Sequence, residues 1–267
     1  FGLSDMAVVR IGTSGYSYDD WAGPFYPADL EKRDFLAYYS RVFDTVEVNY
    51  TYYTMPSART LEAMAAKVGE DFSFAVKAHK SLTHERTAAE GECRAFAAGL
   101  EPLVDTARLG AVRRKFPWSF KPSREAVQWL DFLAAQLKGL PLVVEFRHAG
   151  WVMDRTFEFL DSRGLGFCCV DQPHMKGLLP PVAKVTGGLG YVRFHGRNAA
   201  KWWQHEEAWE RYNYLYSREE LGEWVPKIAQ MTDKARVVYA FFNNHYQAQA
   251  VQNAMMFREL LEEADLV

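Results

Sequence analysis

The feature that most constrains this chain is an alternation that runs from one end to the other. Short apolar runs, the strand candidates, trade places with longer segments of helical spacing. The strand-like runs are Val8–Gly12, Thr45–Tyr50, Phe72–His79, Leu109–Phe116, Leu142–Arg147, Gly166–Asp171, Gly190–Gly196 and Arg236–Asn243. Between them the spacing predicts helices over Asp34–Phe43, Ser57–Val68, Arg124–Leu137, Arg155–Arg163, Arg218–Met231 and Gln247–Glu263. In the last of these Ala250, Ala254, Phe257 and Leu261 recur at helical intervals, the mark of a buried face. Ser57 and Ser123 occupy N-cap positions, Ser123 directly after Pro122. Strands alternating with helices point to a parallel sheet. A chain of 267 residues with eight such units closes most simply into a single (β/α)8 TIM-type barrel, a fold of about 250 residues. An open doubly wound sheet is the competitor, but no strand leads into G-x-G-x-x-G. The barrel is expected over 6–267, with long loops after strands one, six and seven: Thr13–Glu31, Gln172–Gly188 and Arg197–Ser217. Loops of that length are more often functional than idle.

Composition narrows the class further. The 31 basic and 34 acidic side chains give 31 − 34 = −3, which leaves no electrostatic footprint for non-specific nucleic-acid binding. Cys93, Cys168 and Cys169 fit neither a disulfide framework nor a C-x-x-C metal site, so a reducing cytoplasm is expected. No apolar run approaches the roughly 20 residues that span a bilayer, and no membrane partner is expected. FGLSD, ahead of Met6, reads as a cloning remnant and is set aside.

Strand phase then sorts the polar residues. Outward positions on barrel strands pack against helices and must be apolar, which leaves the alternate positions for the lumen. With Val46, Val48 and Tyr50 outside, Glu47 and Asn49 face inward; with Phe74, Val76 and Ala78 outside, Lys77 and His79 do. Val144 and Phe146 outside place Glu145 and Arg147 inside. Val192 and Phe194 outside place Tyr191, Arg193 and His195 inside. Asn243 follows Tyr239 and Phe241, and Asp171, in phase with Phe167 and Cys169, is assigned to the same mouth. These groups gather toward the C-terminal strand ends, where barrels of this type build active sites. The plain alternative is a self-satisfied network, Glu47, Glu145 and Asp171 against Lys77, Arg147 and Arg193. Such networks rarely improve on an apolar core.

IGTSGYSYDDW at 11–21, VEVNYTYY at 46–53, FAVKAHKSLTH at 74–84, VEFRHAGW at 144–151, YVRFHGRN at 191–198 and AFFNNHYQAQAVQNA at 240–254 resemble the DUF72 (YecE-like) family. The matches cover nearly the whole chain, in order. The resemblance implies a (β/α)8 barrel and brings no reaction with it, the family being named for its unknown function. LGAVRRKFPWSF at 109–120 departs from the family's apolar strand four, which ends in a glutamine and proline. Arg113, Arg114 and Lys115 stand there instead, and three adjacent cations force at least one toward the helices or end the strand early.

The expected function is acid–base chemistry on a small phosphate- or carboxylate-bearing substrate, by hydrolysis, lysis or isomerisation. Arg147, Arg193 and Lys77 would hold the anion, since arginine forks match carboxylate and phosphate. Glu145, Asp171 and His195 would handle protons, and Glu47 would orient the lysine or a substrate hydroxyl. Lys77 is also a Schiff-base candidate if desolvated, although nearby carboxylates argue for a charged clamp. Asn49, His79, Asn243, Ser14, Tyr16, Trp21 and Trp151 complete the expected binding set, with Tyr52, Trp202 and Trp203 as further loop aromatics. Arg193, Arg197 and Asn243 would form a phosphate site where Asn243-Asn244-His245 opens the last helix. Asn244 alternatively serves there as a plain N-cap. No cofactor is predicted. A divalent metal on Glu47, His79, Glu145, Asp171 and His195 is the alternative, giving a phosphodiesterase with Trp202 and Trp203 stacking on bases. A non-catalytic nucleotide or metabolite binder is the third reading. No oligomeric state is assigned.

Overall fold

The computed structural model describes residues 7–267; FGLSD and Met6 lie outside the described residues. All eight expected strands form: β1 (Val8–Ser14), β2 (Thr45–Val48), β3 (Ser73–Lys77), β4 (Leu109–Lys115), β5 (Leu142–Glu145), β6 (Gly166–Asp171), β7 (Leu189–Phe194) and β8 (Val237–Phe242). They pair in parallel and in sequence order, and β8 closes on β1 from Val8↔Val237 to Thr13↔Phe242. Closure removes both sheet edges, so nearly every strand residue is buried.

The helices are α1 (Phe35–Tyr39), α2 (Ala58–Ala65), α3 (Lys80–Thr83), α4 (Glu90–Asp105), α5 (Arg124–Gln136), α6 (Asp154–Ser162), α7 (Arg218–Gly222), α8 (Val225–Thr232) and α9 (Gln249–Glu263). Ser57 and Ser123 cap as expected, accepting from the Thr60 and Ala126 amides. Arg218–Met231 is two helices rather than one, because Pro226 in the first turn of α8 has no amide to continue a helical ladder. α4 lies so close to the chain entering α2 that a Cβ on Gly99 would fall 2.2 Å from the Pro56 carbonyl oxygen. Among the described residues no helix is long and apolar enough to cross a membrane.

The lumen is filled, not hollow. Tyr191, Tyr239 and Phe241 pack within it, the last two stacked at 5.8 Å. Phase holds on β2, β3, β5, β7 and β8, but β6 reverses one expectation. Phe167 packs edge-on against Phe157 of α6, and Asp171 pairs in register with the outward Phe194. Asp171 therefore points into the helix layer. Every residue of β6 is buried, with no polar alternation to mark its two faces.

Candidate active site at the barrel mouth

Four ionised side chains form the centre of the site. Glu47 and Glu145 are wholly buried, and Arg113 and Arg193 each contact both of them. Arg113 reaches Glu47 Oε2 at 3.0 Å and Glu145 Oε2 at 2.6 Å. Arg193 Nη2 donates to Glu47 Oε1 at 2.8 Å and Nη1 to Glu145 Oε2 at 3.2 Å. The Tyr191 hydroxyl donates to Glu47 at 2.5 Å, Arg193 donates to Ser14 Oγ at 3.0 Å, and Arg113 donates to Asn49 Oδ1 at 3.0 Å. Burial alone would raise both carboxyls. The facing guanidinium groups win, and hold Glu47 below and Glu145 well below the ordinary range. Two negative charges meet two positive ones, so the quartet is self-satisfied, but with other members than the plain alternative named: Arg113 takes part, while Asp171 and Lys77 do not. Its carboxylates orient neighbours and carry no proton at neutral pH.

A second layer lies two residues further along the same strands: Lys115 beyond Arg113, Arg147 beyond Glu145, His195 beyond Arg193. His195 is buried, with Nε2 3.0 Å from Glu145 Oε1 and Nδ1 3.0 Å from the Asn243 amide nitrogen. An amide that donates to Nδ1 leaves the proton on Nε2, so the imidazole is neutral and donates to Glu145. Burial, then Arg147 and Arg193, push its pKa well below the ordinary value. His195 is held between Glu145 and Asn243.

The cations of this layer lack the balance beneath them. Arg147 approaches Glu145 only at 3.6 Å, and its Nε and Nη2 are buried without a hydrogen-bond partner. Arg211 has no ion pair among the described residues, and its Nε is likewise unpaired. Lys77 and Lys115 make no side-chain hydrogen bond or ion pair there either; the Lys77 ammonium rests 3.8 Å from the Tyr52 ring centroid. Burial, then Arg113 and Lys115, pull Lys77 down to about 6. Burial and Arg147 take Lys115 well below its ordinary value. The carboxylates expected to keep Lys77 charged are already engaged by arginine.

The loop after β7 carries Trp202 and Arg211 over the mouth. Trp202 is fully buried, with Arg147 Cζ 6.0 Å and Arg211 Cζ 5.4 Å from its ring. Under it lies a cavity of about 200 Å³ walled by His84, Lys115, Arg147, Trp118, Trp202 and Arg211. Drug-sized ligands occupy roughly 300–1,000 Å³, so this space suits a small metabolite. A larger groove of about 530 Å³ between α5 and α6 is mostly apolar, with Arg124 and Arg155 as its charged lining residues and no acid or histidine among them.

Several expected site residues lie elsewhere. Asp171 accepts from Arg197, Tyr216 and Trp224 at 2.7–2.9 Å, pinning both ends of the loop after β7 from outside the lumen. With both oxygens engaged there, Asp171 does not reach the mouth where it was expected to handle protons. His79 caps α3 through Ser81. Trp21 and Trp151 are buried, their indoles donating to the carbonyls of His245 and Phe120. Tyr16 packs 6.2 Å from Tyr39. Arg193, Arg197 and Asn243 serve three different partners, so no phosphate site forms there. Asn244 does not cap α9: it holds Tyr214 and Asn253, and left-handed Gln247 and Ala248 precede the helix. Among the described residues no three His, Cys, Asp or Glu side chains are arranged to hold a metal ion. Arg113, Lys115, His84 and Arg211 were absent from the expected set. Alternation along β4 carried the signal for the first two, while His84 and Arg211 lie beyond strand ends, where phase says nothing.

Similarity to known proteins agrees with the fold. The chain is 29% identical over 271 residues to the UPF0759 protein YunF of Bacillus subtilis, covering 96% of this chain and 95% of that one. A solved DUF72 family protein of Thermotoga maritima superposes with a TM-score of 0.88 at 41% identity, over 96% of this chain and 99% of that one. A second, from Enterococcus faecalis, gives 0.85 at 25% identity, over 96% of each. The family described as "Protein of unknown function DUF72" matches residues 10–266, and the chain belongs to it.

Proposed function

We propose that the protein is an enzyme acting on a small phosphate- or carboxylate-bearing substrate in the cavity above the quartet. The carrying observation is the charge imbalance between layers: below, carboxylates and guanidiniums cancel; above, Arg147 and Arg211 present nitrogens without hydrogen-bond partners, and the one carboxylate near Arg147, Glu145 at 3.6 Å, is already engaged by two other arginines. A buried guanidinium without a partner is costly, and an anionic ligand relieves that cost. Arg147 and Arg211 hold the anion, and Lys77, with a pKa about 6, accepts a proton near neutrality. Glu47, Glu145, His195, Ser14, Asn49 and Asn243 fix the positions of these groups. A metal-dependent phosphodiesterase is less well supported, because arginine already occupies both lumen carboxylates.

Titration calorimetry with inorganic phosphate and with glyoxylate tests the reading. Binding should weaken roughly tenfold or more in Arg147→Gln, the scale of one charge-assisted hydrogen bond. Unchanged affinity in Arg147→Gln and Arg211→Gln would refute the clamp. Binding without turnover across a panel of phosphorylated and carboxylated metabolites would favour the non-catalytic binder.

A further inference from the structure

We infer that Lys115 is a carbonyl-attacking amine, and that the cavity takes a small aldehyde or ketone bearing a carboxylate or phosphate. This rests on the anion-cavity reading above and adds the substrate's second functional group. The two lysines of the mouth differ in surroundings. Lys77 is held against the face of Tyr52, its nitrogen 3.8 Å from the ring centroid. Lys115 is itself a wall of the cavity, beside Arg147, with Trp118, Trp202 and Leu178 around the same space. No carboxylate lies within ion-pairing distance of its nitrogen among the described residues. An amine that is desolvated, next to a fixed cation and free of any acid partner is available as a nucleophile at neutral pH. The lowered pKa of Lys115 follows from the same surroundings.

The step balances without any oxidant or reductant. The Lys115 Nζ lone pair attacks the carbonyl carbon; a C–N bond forms while the carbonyl oxygen takes a proton and the nitrogen loses one. A second proton reaches the resulting hydroxyl, the C–O bond breaks and water leaves, giving a protonated imine. The net change is amine plus carbonyl plus one proton to protonated imine plus water. His84 lines the same cavity, with Nδ1 3.1 Å from Thr83 Oγ1 and a pKa lowered to about 4 by burial and neighbouring cations. It is neutral and placed to relay protons, while Arg147 holds the anionic end.

The test is reductive trapping. The full chain is incubated with glyoxylate or pyruvate and sodium borohydride, then digested and mapped by mass spectrometry. At pH 7 the adduct should be roughly tenfold more abundant on Lys115 than on any exposed lysine, whose amine is almost wholly protonated there. Trapping at Lys115 should rise at lower pH than trapping at exposed lysines, which should climb toward pH 10. Lys115→Met keeps an uncharged side chain of similar length and should lose the adduct. Should that variant fail to fold, the site distribution in the unaltered protein decides alone. Label spread by exposure, label preferring Lys77, or no label while phosphate still binds overturns the inference and leaves the anion reading standing. Failure of phosphate and glyoxylate to bind at all removes both.

Discussion

Arg113 and Arg114 are neighbours on β4, both buried, and they live in opposite surroundings. Arg113 faces the lumen, where two carboxylates and Asn49 meet it. Arg114 faces the helix layer, fully buried, and its three guanidinium nitrogens find no hydrogen-bond partner among the described residues. Burial alone pulls its pKa down to about 9, whereas the facing carboxylates raise that of Arg113 against the same burial. At β4 the lumen supplies acceptors for a guanidinium and the helix layer supplies none. Strand alternation, and not the chemistry of arginine, decides which side a residue meets.

The contrast can be broken most sharply from the lumen side. Glu145→Ala leaves Arg113 and Arg193 short of an acceptor and should cost about 3–5 kcal/mol in urea unfolding. Glu145 is depressed in the fold, so its contribution is present above the unfolded carboxyl pKa near 4.5. It is lost as pH falls through the lower folded value. The acid-unfolding transition of Glu145→Ala should accordingly be shallower. From the helix side the sign inverts: Arg114→Leu should stabilise by about 1–4 kcal/mol, the range seen when apolar residues replace buried ions. A loss of stability instead would mean that Arg114 has found a partner.

A pH slope distinguishes the rim from the quartet. Lys77 titrates at about 6 in the fold against 10.5 when unfolded. Between those values the unfolded chain holds a proton that the folded chain has shed. Stability therefore rises with pH across that window, and Lys77→Met should flatten the slope in thermal melts. A slope unchanged by the substitution would place Lys77 in contact with solvent or an acid.

The same comparison explains what could be read in the residues alone. Eight strands were legible because their alternation with helices leaves one simple closure. Glu47, Lys77, Glu145, Arg147, Arg193 and His195 were legible as inward because polar and apolar residues alternate on β2, β3, β5 and β7. On β6 both faces are apolar or cysteine, so nothing in Gly166–Asp171 told inside from outside, and Asp171 was misplaced. The roles of Glu145 and His195 were also beyond reach. They depend on which arginine meets which carboxylate across strands far apart in the chain, and phase gives direction without partners. The two-helix break at Trp224 is marked by Pro226, but the apolar spacing continues through it and reads as one helix.

The two-layer lumen has a consequence for how such a barrel can change over evolutionary time. Because charge is neutralised below the rim, an exchange of Lys115, Arg147 or Arg211 for another residue leaves the quartet's pairings intact. New ligand specificities can then arise by single substitutions at the mouth while the cylinder keeps folding, so selection on chemistry and selection on foldability act on different residues.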